Sequence, residues 1–198
     1  MITTAESSLL AATGRGGLYR SADGFSWQQV EGIEGGYVYS LNSPDGVHIA
    51  LGTDRGFSVS GDGGVTWKNT YINYGIRFLT FAGTEMIWGC SRNGFWGYSV
   101  RNGEVKGAKI SGYEWSPLSY LTDVFSGGKG GLFALLKGSL VRLVPGEGKN
   151  TFSMERAVFS NAEVLSSLAH SRGGMLLGTR RGFFRSVDGT SWLEIELP

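Results

Sequence analysis

The chain reads GLYRSADGFSW at residues 17–27, GFSVSGDGGVTW at 56–67 and GFFRSVDGTSW at 182–192. Each stretch runs from Gly through strand-like residues to Ser-x-Asp-Gly, then tightly into Trp. Trp27 and Trp67 stand 40 residues apart. A fixed period of that length with strand chemistry means stacked β units, because one such unit cannot bury its own apolar face.

Working outward, five repeats follow, at about 1–31, 37–70, 76–110, 119–157 and 164–197. Repeat two is the clearest. Residues 37–42 (YVYSLN) predict a first strand and Ser43-Pro44-Asp45-Gly46 a turn. Residues 47–53 predict a second strand, 57–60 a third and 65–70 a fourth, with turns at 54–56 and 61–64. Four antiparallel strands in about 40 residues make one propeller blade. The expectation is an all-β propeller of five four-stranded blades in one domain spanning 1–198. The first blade is short of material, since only residues 1–5 can supply its innermost strand. A closed ring then needs that segment beside repeat five; an open arc completed by another chain is the alternative.

Composition bounds the function. Thirty-three glycines against four prolines suit many tight turns between short strands. A net charge of +1 gives no electrostatic case for nucleic acid or a membrane surface. The lone cysteine, Cys90, sits in an apolar run and reads as a small buried hydrophobe. Residues 1–17 lack a basic segment followed by a sustained apolar core, so no signal peptide is expected. A cytoplasmic protein, or one incorporated into a larger particle such as a virion, is the corresponding expectation.

Ser60-Gly61-Asp62-Gly63-Gly64-Val65-Thr66-Trp67 fits the pattern Ser-x-Asp-x-Gly-x-Thr-Trp at every defined position, and Ser21–Trp27 and Ser186–Trp192 are one residue shorter. The chain thereby resembles the Asp-box propellers, or bacterial neuraminidase repeats, a family that includes sialidases, sortilin-type receptors and photosystem assembly factors. Repeat three departs from the pattern at Ser99-Val100-Arg101-Asn102-Gly103, which lacks the Asp. Repeat four departs at Pro145-Gly146-Glu147-Gly148, with Phe152 for Trp. The resemblance implies a structural role for Ser21, Asp23, Trp27, Ser60, Asp62, Trp67, Ser186, Asp188 and Trp192. The carboxylate closes the turn by accepting backbone amides, and the Trp packs between blades.

The same resemblance raises glycoside hydrolysis, and the residues argue against it. A sialidase needs three arginines, a tyrosine nucleophile paired with a glutamate, and an aspartic acid/base. Its first arginine stands in Arg-Ile-Pro or Arg-Leu-Pro, which is absent here; Arg77 holds a comparable place without the Pro. His48 and His170 lie in different repeats without ligand-spaced partners. The Gly-rich stretch at 126–131 lacks P-loop spacing. No catalytic residue, metal or cofactor is expected.

Loops carry function more often than repeat cores. The loops between second and third strands hold Arg15, Arg55, Arg92, Lys137, Arg180 and Arg181. The connectors add Tyr71, Tyr74, Tyr113 and Trp115, beside Glu31, Glu34 and Glu114. Arginine and exposed aromatics dominate interface hot spots. The sequence therefore points to a non-catalytic interaction module whose partners are other protein subunits, as in an assembly or virion component. A lectin-like, glycan-binding propeller is the alternative reading, and a sialidase-type hydrolase the weakest.

Overall fold

The computed structural model describes residues 1–15, 17–91, 94–110, 121–126, 131–136, 139–147, 151–155, 164–171 and 174–196, with the backbone alone at 122 and 164–171. The chain divides into two compact bodies, Met1–Lys106 and Gly107–Pro198. The described residues form strands, turns and bends, with no helix among them.

The first body opens with β1 (Ile2–Thr3), β2 (Leu9–Thr13), β3 (Gly17–Ser21) and β4 (Gln28–Gln29), an antiparallel meander. β1 is two residues long and pairs Ile2 with Leu10 and Thr3 with Leu9, so the N-terminal segment does supply the first strand of repeat one. The next meander is β5 (Val38–Asn42), β6 (Ile49–Thr53), β7 (Gly56–Ser60) and β8 (Lys68–Tyr71). β9 (Phe78–Ala82), β10 (Met86–Ser91) and β11 (Gly94–Ser99) follow, again antiparallel.

β12 (Val105–Ile110) begins in the first body and ends in the second. The second body contains β13 (Leu121–Ser126), β14 (Leu132–Leu136), β15 (Ser139–Pro145) and β16 (Thr151–Met154). Its last meander is β17 (Val164–Ser171), β18 (Gly174–Thr179), β19 (Gly182–Ser186) and β20 (Leu193–Ile195). The end of β12 pairs in parallel with β16, Lys109 with Thr151 and Ile110 with Phe152. The fourth strands of the two repeats without a legible Ser-x-Asp-Gly turn are thus the ones that meet edge to edge.

Two strand edges differ from the sequence expectation for a chemical reason. Residues 65–67 read as strand, yet β8 starts at Lys68 because the Asp62 carboxylate holds the amides of Val65 and Thr66. Residues 47–48 also read as strand, yet β6 starts at Ile49 because Asp45 captures both of their amides. An amide bonded to a carboxylate is not available to a ladder.

Period-2 alternation gives each meander two apolar faces, and successive repeats bury them against one another. Leu10 and Leu18 of repeat one pack with Val38, Ile49 and Leu51 of repeat two, and Trp67 lies against this cluster. The other face of repeat two, Ala50, Phe57 and Val59, packs with Leu79, Phe81, Ile87 and Tyr98 of repeat three. In the second body Phe125, Phe133, Leu135 and Leu140 pack with Met175 and Leu177, with Phe184 and Trp192 against them. Each fully buried large side chain contributes about 1.5–3 kcal/mol. Cys90, 1% exposed, belongs to this interior.

Candidate functional site

Two repeated turns set the ends of the meanders. In the first, Asp23 Oδ1 accepts the amides of Phe25 and Ser26 (both 2.8 Å), and Ser21 Oγ accepts that of Gly24 (2.8 Å). Asp188 takes Thr190 and Ser191 in the same way, and Asp62 takes Val65 and Thr66. The three indole Nε1 groups donate to Gly24, Gly64 and Gly189 at 3.1–3.2 Å. The amide bonds hold Asp23 at a pKa of about 2, led by Ser26; the Thr66 hydroxyl and amide do the same for Asp62, also about 2. Asp188 is lowered further, chiefly by Ser191 and Thr190. Carboxylates held this low remain ionised at neutral pH and cannot act as general acids there.

The Trp positions differ among repeats. Trp67 and Trp192 pack on apolar clusters, and Trp27 is 36% exposed. A fourth turn with the same bonding joins β5 and β6. Ser43 Oγ accepts from Gly46, Asp45 Oδ1 accepts from Val47 and His48, and Gly46 has the same positive φ (78°) as Gly24 (80°) and Gly189 (78°). From sequence Ser43-Pro44-Asp45-Gly46 reads as an ordinary turn; its Ser-x-Asp-Gly spelling is the signal of the box-like bonding. His48 Nδ1 stands 2.7 Å from Asp45 Oδ2.

The second repeated turn carries the arginines. Thr53 Oγ1 accepts the amides of Arg55 and Gly56 (both 3.2 Å), and Thr179 Oγ1 accepts that of Arg181 (3.0 Å). Both hydroxyls donate to the carbonyl of the following Gly, Gly56 or Gly182. This Thr-x-Arg-Gly clasp fixes the loop and leaves Arg55, Arg180 and Arg181 exposed; Arg15, between β2 and β3, is exposed as well. Arg92, Lys137, Tyr113, Glu114 and Trp115 lie outside the described residues, as does the His170 side chain.

In the first body the exposed residues gather around the β6–β7 loop. Asp54 Oδ1 accepts the amides of Gly36 (3.0 Å) and Tyr37 (3.3 Å), which ties the 31–36 connector to this loop. The Asn69 amide group donates to Gly32 O (2.8 Å) and its Oδ1 accepts from Glu34 N (3.3 Å), fixing the stretch that exposes Glu31 and Glu34. Arg55 O accepts from Ile72 N (2.9 Å), and Thr53 O from Ile76 N (2.9 Å), which holds the 72–76 connector.

On this frame stand Tyr37 and Tyr39, 38% and 44% exposed, with rings stacked 6.2 Å apart at 11°. The Arg77 guanidinium lies 5.7 Å from the Tyr39 ring centroid. Tyr71 is 58% exposed, opposite Gly56 in the ladder, and Tyr74 stacks on Trp96 at 6.2 Å. Of the residues singled out from sequence, Arg55, Tyr71 and Tyr74 thus share this region. Tyr37, Tyr39 and Arg77 join them from outside the binding face expected from sequence. Their signal was the alternation Tyr-Val-Tyr at 37–39, which puts both rings on the face opposite buried Val38.

Tyr98, a tyrosine of this body, is buried, and desolvation pushes its hydroxyl above the usual tyrosine range despite a bond to Thr70, the reverse of nucleophile activation. Among the described residues no three His, Cys, Asp or Glu side chains gather as metal ligands, and no helix is long and apolar enough to cross a membrane.

No family model matches the chain, and comparison with curated proteins finds no match. Solved structures are similar in fold. The virginiamycin B lyase of Staphylococcus aureus superposes with a TM-score of 0.68 at 11% identity, over 99% of this chain and 68% of the lyase. The extracellular domain of the hybrid two component system BT4673 of B. thetaiotaomicron gives 0.65 at 19%, over 98% of this chain and 26% of that one. YCF48 bound to D1 peptide gives 0.58 at 15%, over 89% of this chain and 60% of that one. The fold is a β-propeller. The chain spans about a quarter of the two-component domain and about three fifths of YCF48. Propellers in this group include a lyase as well as a peptide-bound protein, so the fold leaves activity open and the site must decide it.

Proposed function

We propose that this chain is a non-catalytic propeller module that docks other protein subunits of a larger assembly, a virion or tail being one setting. The docking surface is Tyr37, Tyr39, Arg77, Arg55, Tyr71 and Tyr74 in the first body. The observation that carries this reading is the exposed, stacked Tyr37–Tyr39 pair with Arg77 over its outer ring. Tyrosine brings large contact area at low entropic cost and arginine brings planar donors, the combination found at interface hot spots. YCF48, a structural neighbour bound to a peptide, lends the propeller fold a precedent for such use. The box aspartates are occupied by turn amides, which supports a non-enzymatic role.

A lectin-like reading rests on the same pair, because near-parallel tyrosine rings also suit the apolar face of a sugar. Selection from a phage-displayed peptide library and a parallel glycan array separate the two. The expected result is a family of bound peptides whose affinity falls at least tenfold with Tyr39→Ala or Arg77→Ala. Binding confined to glycans would transfer the site to the lectin reading, and hydrolysis of a fluorogenic sialoside would defeat the non-enzymatic one.

A further inference from the structure

Repeats two and three place equivalent residues side by side where their first strands begin. Val38 pairs with Thr53 and Ser40 with Gly52, so Tyr39 is an extra residue of β5 without a partner on β6. A bulge of this kind re-aims the side chain it carries. In repeat three Phe78 pairs with Cys90, the register position of Ser40 with Gly52, so Arg77 stands where Tyr39 does and lies over its ring. The Tyr39 ring also rests on the backbone of Gly75, where a Cβ would come within 2.8 Å of Tyr39 Cε2. Tyr74, next in the chain, stacks on Trp96. The Trp96 indole is anchored on the core between repeats two and three and donates to Ser91 Oγ at 3.4 Å. The ring pairs Tyr37–Tyr39 and Tyr74–Trp96 thus meet at one glycine and form a single row within the first body.

The polar groups of this row say what it can hold. Among the described residues no hydrogen bond occupies the hydroxyls of Tyr37, Tyr39 or Tyr74, and no carboxylate pairs with Arg77, so the row offers donors. The acceptors of the adjoining loops are engaged: Asp54 Oδ1 holds the amides of Gly36 and Tyr37, and Asn69 Oδ1 that of Glu34. Sugar hydroxyls need acceptors as well as donors and are poorly served there. A run of prolines carries carbonyls and no N–H, and is matched. In the polyproline II helix those carbonyls have no internal partner, and aromatic-lined grooves are what such segments dock on. The Tyr37 end of the row is acidic. Glu31, Glu34 and Asp54 stand there against Arg55, so a basic residue beside the prolines suits it and an acidic peptide does not.

We propose that the segment docked on the tyrosine–arginine surface is proline-rich, lies in the polyproline II conformation, and carries Lys or Arg at its Glu31–Glu34 end. Its prolines stack on Tyr39 and Tyr74, and its carbonyls accept from the tyrosine hydroxyls and from Arg77. This inference rests on the docking reading above and narrows it to one class of partner.

The probe is an array of short peptides carrying Pro-Pro-x-Pro beside an arginine. Copies with alanine for each proline, and others with glutamate for the arginine, accompany it. The full chain should bind members of the first set, about tenfold more weakly once alanine replaces proline and several-fold more weakly with glutamate. Tyr39→Ala should weaken binding about tenfold, and Tyr39→Phe several-fold, since the ring stays and the donor goes. Glu34→Lys should move the preference from the arginine set to the glutamate set, which a merely structural role would not do. Tyr39 is 44% exposed, so these variants should melt with the parent. Binding indifferent to the loss of proline, or to Tyr39→Ala, overturns the proposal. Peptides held through Tyr39 but poor in proline would overturn it and leave the docking surface in place. A surface that holds glycans and no peptide would overturn both.

Discussion

Repeats two and five are built alike and end differently. Both carry a Ser-x-Asp-Gly box, a Thr-x-Arg-Gly clasp and one face packed against a neighbouring repeat. On the other face Phe57 is at 1% exposure and Phe183 at 42%. The strand register is the same, so the difference does not come from strand pairing. Repeat identity sets turns and registers; the stabilising burial comes from the next repeat.

The largest expected effect tests that statement directly. Phe57→Ala should cost about 3–5 kcal/mol, the range for a buried Phe left as a cavity. Phe183→Ala should stay within about 0.5 kcal/mol in monomeric protein, as surface changes do. Urea midpoints of the two variants decide it; equal losses would mean that the exposed face is covered in solution.

Glycines sharpen the comparison one step down. Gly24 and Gly189 hold the same box position at φ 80° and 78°. A Cβ at Gly24 meets only Leu9 Cδ1 at 3.5 Å, whereas one at Gly189 runs into the Phe133 ring and Met175 Cε (2.7 Å). Gly24→Ala should therefore cost about 1 kcal/mol, from the left-handed backbone alone. Gly189→Ala should add about 1–3 kcal/mol of overpacking. Thermal melts that rank the two equally would place the cost in the backbone only.

The smallest effect is in the box carboxylates and shows best against pH. Asp62 has its pKa lowered from 3.8 to about 2, chiefly by the Thr66 side chain and amide. A lowered carboxylate stabilises the fold above its unfolded pKa, and the contribution fades as pH falls through the folded value. Asp62→Asn should thus melt below the parent at pH 7, and the gap should narrow between about pH 4 and pH 2. A gap independent of pH would mean that the charge plays no part in closing the turn.

Much of this was legible in the sequence because it is local. Ser, Asp and Gly within four residues can satisfy one another's backbone whatever lies beyond, so the boxes and their aspartates read directly. The turn at 43–48 is equally local and reads as a turn from sequence; its box-like bonding shows in the structure. The arginine loops are visible as a row of cations, whereas the shaping of each loop by the hydroxyl of Thr53 or Thr179 shows only in the structure. The tyrosine surface was harder. Tyr39 sits in β5 with Tyr37 just before it, and their exposure depends on which side of β5 the neighbouring strands leave open.

The sequence by itself determined the all-β repeat architecture, the turn chemistry and the absence of sialidase motifs, since these rest on contacts a few residues apart. Only the tertiary structure decided which faces are covered, that Trp27 stands partly open while Trp67 is packed, and that Arg77 meets Tyr39 across two repeats. Burial is a property of what comes alongside. Thirty-seven residues of chain lie between Tyr39 and Arg77, and their adjacency follows from stacked sheets, which no local spacing encodes.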